Sequence, residues 1–182
     1  MSLRIIGGSF KGRILKTPKG PSTRPTQGML RESVFNICQN EIAGARFLDL
    51  FAGSGAMGFE ALSRGASHAT MIESNRSALS TIRENIALLQ VASQTTVIPF
   101  DALQAMKRLP SPFEVIYVDP PYSKPSFAYI EALLTRNLLA PNGTLFLEER
   151  KSAQPIAPSF PELILIGTRR FGEAILHQYR LL

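Results

Sequence analysis

The sequence predicts an α/β domain built on a mostly parallel sheet with helices on both faces. Two observations carry that expectation. Apolar strand-like runs alternate with helical stretches at βαβ spacing, and the first of those runs ends in a glycine-rich turn that opens a helix. At 182 residues the chain can bury one sizeable core but not two ordinary ones.

The elements follow in order. Residues 1–28 are rich in Gly, Pro, Lys and Arg, with apolar pairs Ile5-Ile6 and Ile14-Leu15, and read as a small hairpin arm followed by a loop from Pro18 to Pro25. Residues 29–182 form the main domain, which starts with a helical stretch from Glu32 to Glu41 that holds the single cysteine, Cys38, as a small core residue. Strands are expected at Arg46 to Leu50, Ala69 to Glu73, Thr95 to Ile98, Phe113 to Asp119 and Thr144 to Glu148. Helices are expected at Ala56 to Ser63, Ser77 to Leu89, Ala102 to Arg108 and Phe127 to Asn137. Leu163 to Ile166 and Glu173 to Tyr179 read as a closing antiparallel hairpin with its turn at Gly167 to Gly172.

Composition narrows the class. A hydrophobic content of 45% with 19% charged residues fits a globular protein, and no apolar run approaches the ~20 residues of a membrane span. The start lacks the apolar core of a secretory signal, so a cytoplasmic protein is expected. The net charge of +6 is concentrated in the arm: seven basic residues and no acid precede Glu32. Such a segment is the footprint of a polyanion binder, and Arg4, Lys11, Arg13, Lys16, Lys19 and Arg31 are the candidate phosphate contacts. A merely solvated edge is the alternative. His68, His177 and Cys38 lack ligand spacing, so no metal site is expected.

The run Phe47-Leu48-Asp49-Leu50-Phe51-Ala52-Gly53-Ser54-Gly55 passes from strand to glycine turn to helix. Glycine lets backbone approach a ligand closely, and Gly53, Gly55 and Gly58 also satisfy a dinucleotide fingerprint. On glycines alone, S-adenosylmethionine and NAD are not separated. Asp49 suits a ligand carrying ammonium and sulfonium and suits a pyrophosphate poorly. Glu73 and Asp101 end the next two strands on the same sheet edge, Glu73 at the sequence spacing of a ribose-binding acid and Asp101 able to accept from an adenine amine. Three acids at one edge favour S-adenosylmethionine. Helix capping is the competing account of these acids, above all for Asp101 before Ala102.

The strand Phe113 to Val118 runs into Asp119-Pro120-Pro121-Tyr122. Neither proline can donate to a ladder, so the chain leaves the sheet there and presents a carboxylate, free carbonyls and an aromatic ring. Methylating an amine attached to an aromatic base needs acceptors on its N–H groups and a negative charge beside the nitrogen as it becomes positive. Asp119 and the Pro120 carbonyl fit those roles, and Tyr122 fits a stacking platform for an extruded base.

Asp49 to Gly55, Glu73, Asp101 and Asp119 to Tyr122 together resemble the class I amino-methyltransferases. Arg4-Ile5-Ile6-Gly7-Gly8, Lys11-Gly12-Arg13, Arg24-Pro25-Thr26 and Arg31-Glu32-Ser33-Val34-Phe35-Asn36 further resemble the RsmD family, bacterial 16S rRNA (guanine-N2)-methyltransferases. The resemblance implies a Rossmann-like, seven-stranded domain with an N-terminal hairpin extension. It implies S-adenosylmethionine as donor, with S-adenosylhomocysteine as product, and guanine 966 of 16S rRNA as target in the 30S subunit or an assembly intermediate, met by a monomer. It implies a cofactor set of Asp49, Phe51, Ala52, Gly53, Ser54, Gly55, Glu73, Ser74, Asp101 and Ala102, with Arg24 and Thr26 over the cofactor. The family usually follows its Arg-Pro-Thr with a small hydroxyl residue, an acid and a base; this chain has Gln27-Gly28-Met29.

Because Asp-Pro-Pro-Tyr serves several amino-methyltransferases, an adenine-N6 DNA methylase or a protein-glutamine methylase is the alternative. A nicotinamide oxidoreductase would use the glycines but gives no account of Asp119 to Tyr122. A non-catalytic RNA-binding protein would have no use for the acids.

Overall fold

A computed structural model describes residues 2–18, 25–110, 112–121, 125–152 and 159–182, with the side chains of 25–27 left aside. Seven strands, β1 (Arg46–Asp49), β2 (His68–Ile72), β3 (Thr95–Ile98), β4 (Phe113–Val118), β5 (Leu139–Arg150), β6 (Leu163–Phe171) and β7 (Ala174–Leu181), form one sheet in the order β3-β2-β1-β4-β5-β7-β6. The first five are parallel, and β7 and β6 add antiparallel. The strand order reverses between β1 and β4, the crevice where open α/β sheets bind ligands. Asp49 and Val118 end the two strands that border that crevice.

Helices α1 (Pro25–Ile37), α2 (Ala56–Ser63), α3 (Arg76–Leu89), α4 (Ala102–Met106) and α5 (Phe127–Thr135) cover the sheet. Two apolar cores result. One packs Val34, Phe35, Phe59 and Ile82 on the face bearing Phe47, Val115 and Phe146; the other packs Met106, Tyr129, Ile130 and Leu133 against Leu48, Ile116 and Leu147. Successive strand residues divide between the two cores, as the pleat requires of a sheet buried on both faces.

Several boundaries differ from the sequence reading. Helix α1 begins at Pro25, not near Glu32, because proline's fixed φ suits the first helical position; the helix therefore crosses residue 28, the expected border of the arm. Strand β5 begins at Leu139 rather than Thr144: Asn142 takes a left-handed φ of 60°, and the pairing steps from Phe113↔Leu139 to Val115↔Thr144 across that irregularity. The closing turn is shorter than expected. Strand β6 runs on to Phe171, and Gly172, at φ 61°, reverses the chain within two residues. Helices α4 and α5 stop two residues short of their expected ends.

The arm is a hairpin, bridged between Arg4 and Ile14 and closed by Ile5 N to Arg13 O at 3.0 Å and Leu15 N to Leu3 O at 2.8 Å. It lies on α2. The Glu60 carboxylate, fully buried, accepts from the amides of Ile6 and Gly7 at 2.8 Å each and from Arg64 Nε at 2.9 Å. An unpaired buried carboxylate would cost several kcal/mol, and beside these three donors Arg31 Nε stands 3.5 Å away as an ion pair.

Candidate functional site

Strand β1 delivers Asp49 to the crevice with 1% of its surface exposed. Its Oδ1 accepts from Phe51 N at 3.3 Å, while Oδ2 is buried without a hydrogen-bond partner among the described residues. Burial pushes its carboxyl up to about 7, opposed by the Phe51 amide and reinforced by the negative charge of Glu73. An orphaned carboxylate oxygen in the wall of a cavity is a position made for a cationic donor.

After Phe51 the chain turns tightly, with Gly55 N donating to Ala52 O at 2.7 Å, and Gly53 takes φ 55°. A Cβ on Gly53 would project into open space, which is where a ligand could come against the backbone. The Gly53 amide itself is held by Glu73 Oε2 at 2.8 Å, and Glu73 Oε1 accepts from Asn75 N at 2.7 Å. Glu73 thus braces the turn. Asp101 caps α4 through Leu103 N at 3.1 Å, so its capping role is present beside any ligand role. Ala102 is buried and Ser74 is exposed.

A cavity of about 190 Å³ opens here, lined by Asp49, Phe51, Ala52, Gly53 and Ser54 from the turn, Tyr117 and Asp119 from β4 and its end, and Glu148 from β5. Arg31, Leu30, Leu3, Thr17 and Pro18 close its other side. That volume is below the ~300–1,000 Å³ of a site enclosing a whole drug-sized ligand, so it encloses one end of such a molecule. Glu73 and Asp101 lie outside it, farther along the same sheet edge at the ends of β2 and β3. The structure therefore gathers Asp49, Phe51, Ala52, Gly53, Ser54 and Asp119 into one site. Pro120 is buried and Pro121 exposed; Tyr122, Arg24 and Lys19 lie outside the described residues, and Thr26 falls in the first turn of α1.

Of the candidate phosphate contacts, Arg4, Lys11, Arg13 and Lys16 are exposed on the hairpin. Arg31 is not on that surface. It is 5% exposed, donates through Nη2 to Arg4 O at 2.7 Å and pairs with Glu60, so it joins the arm to the cavity wall. Sequence reasoning also passed over Tyr117 and Glu148, which are buried and hydrogen-bonded to each other in the cavity, Tyr117 donating. Burial and the charges of Glu148, Asp119 and Asp49 push the Tyr117 phenol well above its ordinary value, so it stays protonated and donates. The signal for Glu60 was present: a lone acid in the apolar helix Ala56-Met57-Gly58-Phe59-Glu60-Ala61-Leu62 needs a buried partner. So was the signal for Glu148, which follows the apolar run Leu145-Phe146-Leu147.

Comparison with known proteins fits this geometry. A family model described as Conserved hypothetical protein 95 matches residues 3–180. Ribosomal RNA small subunit methyltransferase D of Escherichia coli (strain K12) is 41% identical over 143 residues, 79% of this chain and 69% of that protein. The chain belongs to the RsmD family. YlbH of Bacillus subtilis (strain 168) is 41% identical over 174 residues, 93% of this chain and 94% of that protein. The solved structure of Escherichia coli yhhF superposes with a TM-score of 0.87 at 32% identity, covering 100% of this chain and 98% of that one. As a member of the RsmD family the chain is an enzyme of the methyltransferase class.

Proposed function

We propose that this chain transfers a methyl group from S-adenosylmethionine to the exocyclic N2 amine of a guanine in 16S rRNA, of the guanine 966 class, in the 30S subunit or an assembly intermediate. It acts as a cytoplasmic monomer without a metal. The observation that carries the reading is a single cavity joining Asp119 to Asp49 and the glycine turn. Membership of a family that includes small-subunit rRNA methyltransferases supports the acceptor, and among the described residues no helix is long and apolar enough to cross a membrane.

S-adenosylmethionine supplies an electrophilic methyl group on a sulfonium. Asp49 Oδ2 would hold the ammonium end of the ligand, and the open side of Gly53 would admit it against the backbone. Asp119 and the Pro120 carbonyl accept the two N–H groups of the target amine, which turns its lone pair out of conjugation with the ring. As the N–C bond forms and the methyl leaves sulfur, giving S-adenosylhomocysteine, positive charge grows on that nitrogen, the Asp119 carboxylate stabilises it, and one N–H proton is then released to solvent. Tyr122 gives the base a stacking face. Lys11, Arg13 and Lys16 on the exposed hairpin take rRNA phosphates.

The test supplies labelled S-adenosylmethionine with naked 16S rRNA, small-subunit particles lacking the modification, duplex DNA and a glutamine-containing protein acceptor. Label on a guanine N2 of the rRNA is expected. Label confined to DNA or protein overturns the acceptor. Asp119→Ala is expected to abolish transfer while S-adenosylhomocysteine still binds; undiminished transfer in that variant overturns the mechanism.

A further inference from the structure

The arm and the glycine turn meet at Asn85. It lies on α3, is fully buried, and spends its amide on two separate segments. Oδ1 accepts from Lys16 N at 2.8 Å; Nδ2 donates to Lys16 O at 3.0 Å and to Ser54 O at 3.3 Å. The two bonds to Lys16 mimic the pairing of neighbouring strands, so the end of the arm is held in register rather than merely packed. The third bond reaches the turn between Gly53 and Gly55.

What adjoins those two anchor points gives the contact its meaning. From Lys16 the chain runs straight into Thr17 and Pro18, which line the cavity, and Ser54 lines it too. An apolar residue could fill the same space on α3. An amide with both N–H groups and its carbonyl engaged instead fixes the arm's exit and the turn relative to each other. The rest of the arm is anchored elsewhere, on Glu60 and on Ser63, whose hydroxyl donates to Gly7 O at 2.5 Å and accepts from Phe10 N at 2.9 Å. Asn85 therefore makes the side-chain link that runs from the basic hairpin to the glycine turn itself.

We infer that Asn85 is a positioning residue that couples rRNA binding to cofactor binding, an inference that rests on the function proposed above. Phosphates held by Lys11 and Arg13 restrain the arm, whose end is tied to α3 by the Lys16–Glu84 ion pair at 2.7 Å; Asn85 passes the restraint to Ser54, and the turn is held in the shape that receives the ligand. Linkage makes the effect reciprocal: each ligand tightens the other by one common factor.

Equilibrium dialysis of labelled S-adenosylhomocysteine, with and without saturating unmethylated small-subunit particles, measures that factor. At least about fivefold tightening is expected for the wild-type chain. Asn85→Asp keeps the shape and the acceptor for Lys16 N but removes both donated bonds; its factor is expected to fall below about twofold while each ligand still binds alone. Ser63→Ala, which loosens the arm away from the cavity, is expected to weaken particle binding and keep the factor. Asn85→Ala repeats the test, and Asn85→Leu, which fills the same space without an amide, decides it where the other two variants do not fold. A merely structural Asn85 would lower both affinities and leave their coupling unchanged, which overturns the inference, as does a wild-type chain with no coupling. Failure of either ligand to bind the wild-type chain at all overturns the proposed function as well; binding of both without coupling overturns this inference alone.

Discussion

Replacing Asp49 with Asn separates what this residue does for the ligand from what it costs the fold. Burial raises its carboxyl from the ordinary 3.8 to about 7. The folded chain thus keeps the Asp49 proton to a higher pH than the unfolded chain does. Ligand-free stability therefore declines as pH rises from about 4 to about 7 and is level above that. A gap of about three pH units amounts to roughly 4 kcal/mol, the free energy of ionising the buried Asp49 in the folded chain at pH 8. Asn keeps the shape and removes the charge. Urea denaturation of the two proteins should give nearly equal stability at pH 4 and an Asp49→Asn advantage of up to about 4 kcal/mol at pH 8. Binding should move the opposite way. The ammonium of the ligand requires the ionised carboxylate, so wild-type affinity for S-adenosylmethionine should fall about tenfold for each pH unit below 7, and Asp49→Asn should bind at least tenfold more weakly at pH 8. A stability difference that does not change between pH 4 and pH 8, or full affinity in the Asn variant, would refute the reasoning.

Other perturbations test separate parts of the site. Asp119→Asn keeps the shape and removes the charge beside the amine; kcat is expected to fall by about two to three orders of magnitude with S-adenosylhomocysteine affinity held, measured by methyl transfer and calorimetry. Tyr117→Phe takes the hydroxyl from buried Glu148 and should cost about 1–3 kcal/mol in chemical denaturation. Gly8→Ala puts a Cβ 1.8 Å from Ser63 O at a residue with φ 76°, so the hairpin must lift from α2; loss of rRNA affinity and faster proteolysis within residues 2–18 should report it. Neutralising Lys11 and Arg13 together should weaken rRNA binding and lower its salt dependence by about two phosphate contacts, with S-adenosylhomocysteine affinity unchanged.

The strands of the central sheet were legible because parallel strands buried on both faces are written as unbroken apolar runs, as in Phe113-Glu114-Val115-Ile116-Tyr117-Val118. Boundaries at Pro25, Asn142 and Gly172 were not. Proline fixes φ but leaves ψ open, and Asn and Gly permit a left-handed φ without enforcing it, so packing made the choice. Arg31 illustrates the same limit within the site. In the sequence it belongs with the basic residues of the arm, yet the buried charge of Glu60, 29 positions away, turns it inward.

By itself the sequence determined the α/β class, the hairpin arm, the glycine turn, and Asp49 and Asp119 as acids at strand ends. Those features depend on local pattern: apolar periodicity, glycine spacing and prolines that end a strand. The tertiary structure decided that Asp49 and Asp119 share one cavity, that Tyr117 and Glu148 pair inside it, and that Glu60 and Asn85 bind the arm into its wall. Their partners lie tens of residues apart in the chain. Only the reversal of strand order between β1 and β4, and the helices packed over that crevice, bring them within reach of one ligand.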